Sequence, residues 1–477
     1  MKKILFFLLT ISMVLVSCDK DFGDLNVDKK RPAQVDPGPL FSNAQKALVD
    51  IMTTPNVNSN IFRMLAQQWT ETTYTDEANY DIATRNIPQN FWNTMYLGVL
   101  KNLKESQSLI PGQDPSFFPP DVQANQDACA EILNVYAWST LVNTFGDIPY
   151  SQALDIDNVY PVYDDAATVY ADLLERLDAA VNSIKVSAGG YGANDLLYGG
   201  DMQGWTNFGR SLQLRLAMIL ADVDAAGAKL IVERVASQAI TSNADNAAFH
   251  YLSAPPNTNP VWVDLVQSGR KDFVAANTLV DAMNALTDPR VPYYFTVDNA
   301  GGYTGGIYGA SNNYATYSKP SDRLIAPDYE SILFDAAETH FLLAEAVERN
   351  MNVGGTAAGH YEAAIRASME YWGVPNNQVD AYVAKADVAY ATAAGDWKQK
   401  IGNQKWIALF NRGFEAWTEW RRLDSPVLVA PPDAESDVPV RYTYPVQEQT
   451  INADNYTAAA SAVGGDVVST KLFWDKF

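Results

Sequence analysis

The stretch from Lys405 to Pro426, KWIALFNRGFEAWTEWRRLDSP, has the spacing of a deeply buried helix. Its apolar residues recur every three or four positions along two neighbouring ridges. One ridge includes Phe410 and Trp417, and the other includes Leu409 and Trp420. Two adjacent apolar ridges predict burial over most of the circumference of a helix. We therefore expect one continuous core helix, which ends before Pro426 because proline disfavours helix in the residue before it.

The same stretch carries charged residues at helical spacing. Arg412 precedes Glu415 by three positions, and Arg422 follows Glu419 by three, so each carboxylate has a cation on its own face of the helix. A glycosidase needs only two carboxylates, but a helix that is apolar on most sides is a poor wall for an open cleft. The pattern predicts a structural ion-pair network rather than an acid–base pair.

The overall composition is that of an ordinary globular protein. Of 477 residues, 47% are hydrophobic and 19% are charged, and the chain is long enough for one large domain or several small ones. The formal net charge of −22 disfavours nucleic acid and anionic lipid as partners. It leaves uncharged ligands open.

The first residues have the pattern of a secretory leader. Two lysines precede an apolar run from Ile4 to Val16, which is too short to span a bilayer. The sequence Leu-Val-Ser-Cys that ends at Cys18 resembles a lipobox, whose cysteine receives the lipid. We therefore predict a lipoprotein signal peptide over 1–17, lipidation of Cys18 and an extended polar arm over 18–40.

Helical spacing recurs through most of the remaining chain, which we interpret as one mostly α domain over 41–477. The predicted helices span Phe41–Met52, Ile61–Thr70, Phe91–Leu109, Ala124–Phe145, Thr168–Ile184, Thr206–Val223, Ala228–Ile240, Ile332–Asn350 and Ala357–Trp372. Neighbouring pairs such as the last two favour a scaffold of tetratricopeptide-like helical hairpins. Residues 245–330 break this rhythm with Pro- and Gly-rich stretches, which predict an irregular, loop-rich ligand-binding subdomain. A short strand is predicted over 440–446.

A second motif, Gly-Asp-Ile-Pro-Tyr over 146–150, follows the predicted helix that ends at Phe145. Glycine just past a helix and proline soon after it are stop signals. The motif predicts a structural turn in which Asp147 caps backbone amides.

Three of these features together resemble one family. The C-terminal stretch FNRGFEAWTEWRRLDSP, the Gly-Asp-Ile-Pro-Tyr turn and the lipobox are similar to those of the SusD/RagB family, the nutrient-binding outer-membrane lipoproteins of Bacteroidota. The C-terminal stretch most resembles the branch called starch-binding associating with outer membrane. The resemblance implies tetratricopeptide-like units, a nutrient such as an oligosaccharide as ligand, and a SusC-like TonB-dependent transporter as partner. Asp19-Lys20-Asp21 resembles the family's export tag, so we expect a lipid-anchored protein on the outer membrane that faces the cell exterior.

Catalytic and metal-binding patterns are scarce in the sequence. It contains no Gly-x-Ser-x-Gly or His-Glu-x-x-His, and besides Cys18 it has a single cysteine, Cys129, which excludes a thiolate zinc site. We therefore expect no catalytic residues, no bound metal and no cofactor. Calcium binding stays an alternative at either of two small acidic groups that lack EF-hand spacing. These groups are Asp155, Asp157 and Asn158, or Asp222 and Asp224.

Aromatic residues in loops supply the candidate ligand-binding site. Tyrosine and tryptophan suit a wet surface because each has an apolar ring and a polar edge. A flat ring can cover the C–H face of a sugar while polar neighbours bind its hydroxyls. Two segments combine these residue types, with Asn79, Asn90 and Asn312 among their polar neighbours. The predicted ligand-binding residues are Trp69, Tyr74, Asp76, Tyr80, Arg85 and Trp92 in the first segment and Tyr303, Tyr308, Asn313, Tyr314 and Tyr317 in the second.

These observations leave three functions open. The first is capture of an oligosaccharide at the cell surface for delivery to the transporter. The second is a surface glycoside hydrolase that uses carboxylates such as Asp76 or Glu77. The third is capture of a peptide or another nutrient by the same mechanism. We predict the first, because the aromatic loops have no accompanying catalytic motif.

Overall fold

The computed structural model describes residues 35–477, and this part of the chain is mostly helical. The predicted signal peptide, Cys18 and most of the predicted arm lie outside the described residues. Residues 37–477 belong to one unit by their internal contacts. The first helix begins at Pro37 rather than Phe41, because proline suits the first turn of a helix. Residues 37–40 are therefore helical and do not belong to an extended arm.

The helices account for most of the described chain. They are α1 (Pro37–Thr53), α2 (Phe62–Leu65), α3 (Ile87–Asn93), α4 (Lys101–Leu109), α5 (Pro120–Phe145), α6 (Ala166–Ser183), α7 (Met202–Ile219), α8 (Ala225–Val235), α9 (Pro260–Trp262), α10 (Asn277–Ala285), α11 (Val291–Tyr294), α12 (Ala336–Glu348), α13 (Ala357–Trp372), α14 (Asn376–Val383), α15 (Trp397–Ala408), α16 (Gly413–Leu423), α17 (Val446–Ile451) and α18 (Ala453–Ala462). A π-helical segment, Thr94–Leu100, joins α3 to α4, and a second one, Val263–Gln267, extends α9.

Short antiparallel strand pairs join segments that are distant in the sequence. The strands are β1 (Trp69–Glu71), β2 (Ile148–Pro149), β3 (Tyr163–Asp164), β4 (Ala247–Phe249), β5 (Phe273–Ala275) and β6 (Ser331–Phe334). In the described residues β1 pairs with β5, β2 with β3 and β4 with β6. The first pair places Trp69 opposite Ala275 and so connects the early aromatic segment to the loop-rich region.

Consecutive helices pack against each other as hairpins, most extensively α12 with α13, α5 with α6, and α7 with α8. Side-chain caps fix where several of these helices begin. The Asp335 side chain accepts a hydrogen bond from the Glu338 amide at the start of α12, and Thr356 caps α13 in the same way. Gly373, with a φ of 80°, ends α13 in the left-handed conformation. The predicted mostly α fold with tetratricopeptide-like hairpins is confirmed.

The single helix predicted over 405–426 is wrong, because the chain forms two helices, α15 and α16, with a break between them. Asn411 lies in the break with a φ of 69°, and its side-chain oxygen accepts a hydrogen bond of 2.7 Å from the Arg63 guanidinium. Gly413 then starts α16 directly against α2. A Cβ atom there would lie 2.5 Å from the Arg63 backbone nitrogen, so the close contact requires glycine.

Two other predicted helices contain strands. The segment predicted as helix over 61–70 forms only the short α2 before β1 begins, and the segment predicted over 332–350 starts with β6 before α12. Short apolar runs fit either a strand or a buried helix, and here distant partners select the strand. Conversely, the strand predicted over 440–446 does not form, and residues 245–330 contain α9 to α11 besides their loops.

Aromatic rings from three parts of the chain meet at the face of α16. The Phe62 ring of α2 stacks on Trp417 at 5.4 Å between centroids and on Tyr442 at 5.3 Å. The Trp417 indole N–H donates to the Pro439 carbonyl at 2.7 Å, which satisfies its polar edge in the core. The predicted burial of this region is confirmed, since Trp417 is fully buried.

A buried ion network lies on the other side of α16. Glu338 on α12 accepts hydrogen bonds from Arg215 of α7 at 2.6 Å and from Arg412 at 2.5 Å. The neighbouring Arg422 pairs with Glu419 at 2.6 Å and with Glu345 of α12 at 2.5 Å. The predicted structural ion pairs are thus confirmed, and they extend to helices that the sequence did not connect.

The arginines control the protonation of this network. Burial alone would raise the pKa of Glu338, but the charges of Arg215 and Arg412 outweigh it and lower that pKa to about 2. The carboxylate is therefore ionised at neutral pH. Arg215 and Arg412 are buried beside Glu338 and need its negative charge as their partner.

Replacing Glu338 with glutamine should destabilise the protein strongly. The substitution keeps the shape but leaves Arg215 and Arg412 buried without their carboxylate, which typically costs about 3–5 kcal/mol. The free energy of unfolding, measured by urea denaturation, gives the loss directly. The control is Glu362→Gln, which removes an exposed pair with Arg366 and should cost about 0–1 kcal/mol. Equal losses in the two variants would contradict a central role for the network.

Candidate functional site

The two predicted ligand-binding segments meet beside the β1–β5 pair. The Asn312 backbone amide donates to the Thr72 carbonyl at 2.8 Å, and its side-chain amide donates to the Glu71 carbonyl at 2.9 Å. On the other strand, the Ala275 amide donates to the Ser318 carbonyl at 2.9 Å. The early segment and the loop over 303–318 therefore share one surface, although more than two hundred residues separate them in the sequence.

Glycines let the second segment approach this closely. A Cβ atom at Gly305 would lie 2.4 Å from the Asn277 backbone nitrogen, so a larger residue would push the loop away from α10. The glycine-rich run over 301–309 thus serves close backbone packing.

Tyr74 is the most exposed ring at this junction, with 63% of its surface accessible. We call its surroundings the Tyr74 surface, which comprises Tyr74, Asp76, Arg85, Arg270, Asn313 and Tyr314. Tyr314 is half-buried, and the ammonium groups of Lys271 and Lys319 lie 5.8 and 5.2 Å from its ring centre. A cation close to an aromatic ring is attracted to it, so these two lysines stabilise the position of the Tyr314 ring.

A small space lies next to the Tyr74 ring. It has a volume of about 20 Å³, and its lining includes Val57, Glu71, Arg85, Arg270 and Asp272. This volume holds about one water molecule. A ligand at this surface would therefore lie on the ring rather than inside a deep pocket.

Four of the predicted ligand-binding rings are buried, and their prediction as accessible sugar platforms is wrong in this structure. Trp69 is 1% exposed and lies under the Arg63 guanidinium, and Tyr308 donates its hydroxyl to the Met64 carbonyl at 2.7 Å. Tyr80 accepts a hydrogen bond from Gln67, and Trp92 packs edge-on against a core phenylalanine. Each ring is part of the core that supports the surface, because spacing cannot tell which aromatic residues of a loop turn inward.

The two remaining predicted tyrosines are half-buried, and they differ in position. Tyr317 lies in the same loop as Tyr314, and its carbonyl accepts a hydrogen bond from Lys319 at 3.0 Å. Tyr303 instead lines a separate cleft with Val291 and Tyr382. The structure therefore does not bring Tyr303 to the Tyr74 surface.

Arg85 is held at the surface by buried carboxyl groups. Its guanidinium pairs with Glu77, whose side chain is fully buried, and lies 3.9 Å from the exposed Asp76. Glu71 lies behind this pair, close to Glu77. Burial, and then the neighbouring Glu77 carboxylate, raise the pKa of Glu71 to about 9, so Glu71 keeps its proton at neutral pH.

This carboxyl pair does not have the geometry of a glycosidase. Catalytic carboxyl groups lie on opposite sides of a bound sugar in an accessible cleft, whereas Glu71 and Glu77 are both buried. Of the two carboxylates proposed for a hydrolase, Glu77 is therefore inaccessible to a substrate and only Asp76 is exposed.

The other predicted features have structural partners. The Asp147 carboxylate accepts a hydrogen bond from the Ala166 amide at 2.9 Å, which confirms its capping role. Asp222 pairs with Arg349 at 2.6 Å, and Asp224 caps α8. Within residues 35–477, no three His, Cys, Asp or Glu side chains come together in a way that could hold a metal ion.

Sequence reasoning found Arg85 but missed Arg270 and Lys271. Arg270 pairs with Asp272 at 2.7 Å, and Lys271 lies between them, over Tyr314. The available signal was the run Gly269-Arg270-Lys271-Asp272 in the loop-rich region, where charges follow a turn residue directly before β5.

Comparison with known proteins identifies the family. The sequence profile of the SusD-like family described as starch-binding associating with outer membrane matches residues 29–445, and the chain belongs to this family. None of the curated proteins matches the sequence. Among residues 35–477, no helix combines the length and the apolar character that a membrane span needs.

Solved structures share the fold. A chitin-binding protein superposes with a TM-score of 0.81 at 24% identity, covering 93% of this chain and 100% of its own. A chitin-binding SusD homologue from Flavobacterium johnsoniae gives a TM-score of 0.76 at 25% identity, with 92% and 97% covered. A SusD homologue from Bacteroides uniformis gives 0.78 at 25% identity, with 92% and 99% covered. The resemblance in the sequence to this family is therefore confirmed.

The Glu71 proton should make stability fall as the pH rises. Burial and the neighbouring Glu77 carboxylate raise the pKa of Glu71 from 4.5 to about 9. Because the folded state holds a proton that the unfolded state releases, the free energy of unfolding should decline between these two pH values. Urea denaturation across this range should show the decline in the wild-type protein and a shallower one in Glu71→Gln, which mimics the protonated acid.

The matched control for this experiment is Glu175→Gln. It removes one negative charge from the exposed face of α6 and should keep the wild-type pH profile. If Glu71→Gln and Glu175→Gln have the same profile as the wild type, Glu71 does not hold this proton.

Proposed function

We propose that this protein binds a neutral oligosaccharide at the Tyr74 surface and holds it without changing it. The observation that carries the proposal is the exposed Tyr74 ring, flanked by the fixed Arg85 guanidinium and the exposed Asp76 carboxylate. The ring offers an apolar face for sugar C–H groups, and the charged neighbours offer hydrogen bonds for hydroxyls. Fixed partners lower the entropy that binding costs.

The names of similar proteins support a glycan as the ligand class. The family is described as starch-binding, and two of the solved relatives are described as chitin-binding. These descriptions agree on carbohydrate and differ on the sugar. A surface with one exposed ring and few polar groups can bind different sugars, because stacking on a ring does not depend on which hydroxyls the sugar carries.

We further propose that Cys18 carries a lipid that anchors the protein to the outer membrane, on its exterior face. The ligand would then pass to a SusC-like TonB-dependent transporter. The family's described association with the outer membrane supports this placement. Delivery favours a modest affinity, in the micromolar to millimolar range, which corresponds to about −8 to −4 kcal/mol.

A role as a binding protein is better supported than hydrolysis. A retaining or inverting mechanism needs two carboxyl groups on opposite sides of the sugar. At the Tyr74 surface Asp76 is exposed, but the neighbouring Glu77 is buried in its pair with Arg85. Chromatography of glycans incubated with the protein should show no cleavage products. Products that disappear in Asp76→Ala would favour a hydrolase instead.

Replacing Tyr74 with alanine should weaken oligosaccharide binding. Loss of one stacked ring should cost about 1–2 kcal/mol, or roughly five- to thirtyfold in affinity. Isothermal titration calorimetry with oligomers of N-acetylglucosamine, malto-oligosaccharides and a set of peptides measures this loss and identifies the ligand class.

The matched control is Tyr160→Ala. Tyr160 is also strongly exposed, at 59%, but lies in the loop before β3, outside the Tyr74 surface. Its removal should leave the affinity unchanged. An unchanged affinity in Tyr74→Ala would contradict the proposed site, and binding of peptides alone would contradict the ligand class.

A further inference from the structure

A second cleft opens beside the Tyr74 surface. It lies between α1, the π-helical segment that starts at Thr94 and the loop that leads into α9, and its volume is about 470 Å³. This is within the range of small-molecule binding sites, which is about 300–1,000 Å³. We call it the Thr258 cleft after the residue at its base.

The chemistry of the Thr258 cleft suits a polyol. Its lining is divided between polar residues, such as Thr54, Asn56 and Asp264, and apolar ones, such as Val263 and Pro260. Sugar units have the same division, with hydroxyls at the rim and C–H groups on the faces. The hydroxyl, amide and carboxylate groups of the cleft can bind the sugar hydroxyls, and its aliphatic side chains can cover the sugar C–H groups.

Thr258 contributes a hydroxyl to the lining of the cleft, although the residue as a whole is only 4% exposed. A threonine hydroxyl can both donate and accept a hydrogen bond. A hydroxyl of a bound sugar can supply either partner.

The charges of the cleft disfavour an anionic ligand. Lys46 is paired with Asp50, which also accepts a hydrogen bond of 2.9 Å from the Tyr251 hydroxyl. Asp264 accepts a hydrogen bond of 3.2 Å from Thr54. One lysine against two aspartates leaves the lining with an excess of negative charge, which repels anionic ligands.

The Thr258 cleft and the Tyr74 surface adjoin each other. Asn56 lines the cleft, and the next residue, Val57, lines the small space beside the Tyr74 ring. From the opposite side, the Asp264 carboxylate lies within electrostatic range of Arg270 and Asp272. The two sites therefore share a border at residues 56 and 57.

We propose that the Thr258 cleft is a second subsite, which binds further neutral sugar units of the same oligosaccharide that lies on the Tyr74 ring. This inference rests on the proposed function and deepens it, since it assigns the protein a preference for longer chains. A disaccharide would occupy one subsite, whereas a hexasaccharide would occupy both.

The experiment fills the cleft and compares two ligand lengths. Val263→Arg places a long side chain at the cleft wall. Val266→Arg places the same side chain on the same π-helical segment, outside the lining. The two valines are similarly exposed, at 37% and 42%, so both variants should fold, as thermal unfolding would verify. Calorimetry then uses the disaccharide and the hexasaccharide of whichever sugar the wild-type protein binds.

The expected result is length-dependent. The wild type and Val266→Arg should bind the hexasaccharide more tightly than the disaccharide, and Val263→Arg should lose about tenfold for the hexasaccharide and nothing for the disaccharide. Equal affinities of the wild type for both lengths, or equal affinities of the two arginine variants for the hexasaccharide, would overturn the second subsite. Either result leaves the proposed function intact if Tyr74→Ala still weakens binding. Unchanged binding in Tyr74→Ala would overturn the proposed function itself.

Discussion

The fold depends on a buried ion network that ties α7, α12, α15 and α16 together. Its members are Glu338, Glu345, Glu415 and Glu419, paired with Arg215, Lys405, Arg412 and Arg422. Each charge is expensive to bury alone, so the helices that carry the partners have to pack in one arrangement. The aromatic cluster around Trp417 packs against the other face of α16 and contributes the apolar burial.

The same helix connects this core to the candidate ligand-binding surface. Gly413 at its start lies against α2, and β1 follows α2 closely along the chain. The β1–β5 pair then holds the Tyr74 segment against the loop-rich region. Buried rings such as Trp69 and Tyr308 support this junction from below, beneath the exposed Tyr74 and the half-buried Tyr314. Well-packed support of this kind lowers the entropy that a side chain loses when a ligand binds to it.

Much of the candidate site could be anticipated from the sequence, but its individual residues could not. The two segments were found because aromatic and polar residues concentrate in loops there, and they do meet in space. Which rings face solvent depends on contacts with distant residues: Tyr308 turns inward to reach the Met64 carbonyl, and Trp92 packs on a core ring. The basic residues beside Tyr314 carry no aromatic or periodic signal. The Thr258 cleft joins three separate parts of the chain, which no local pattern connects.

The family, the helical class and the charge pairs at positions three apart along the stretch over 405–426 follow from the amino-acid order alone. These features depend on local spacing and on short motifs, which the sequence displays directly. The division of the stretch over 405–426 into two helices depends instead on long-range packing, because the break is made by contacts of Asn411 and Gly413 with α2. Long-range packing also determines that Glu338 and Glu345 complete the ion network, and that Tyr74 rather than Trp69 is exposed. Burial and long-range pairing depend on the whole chain. Where they conflict with the secondary-structure preference of a short segment, the long-range contacts determine the structure.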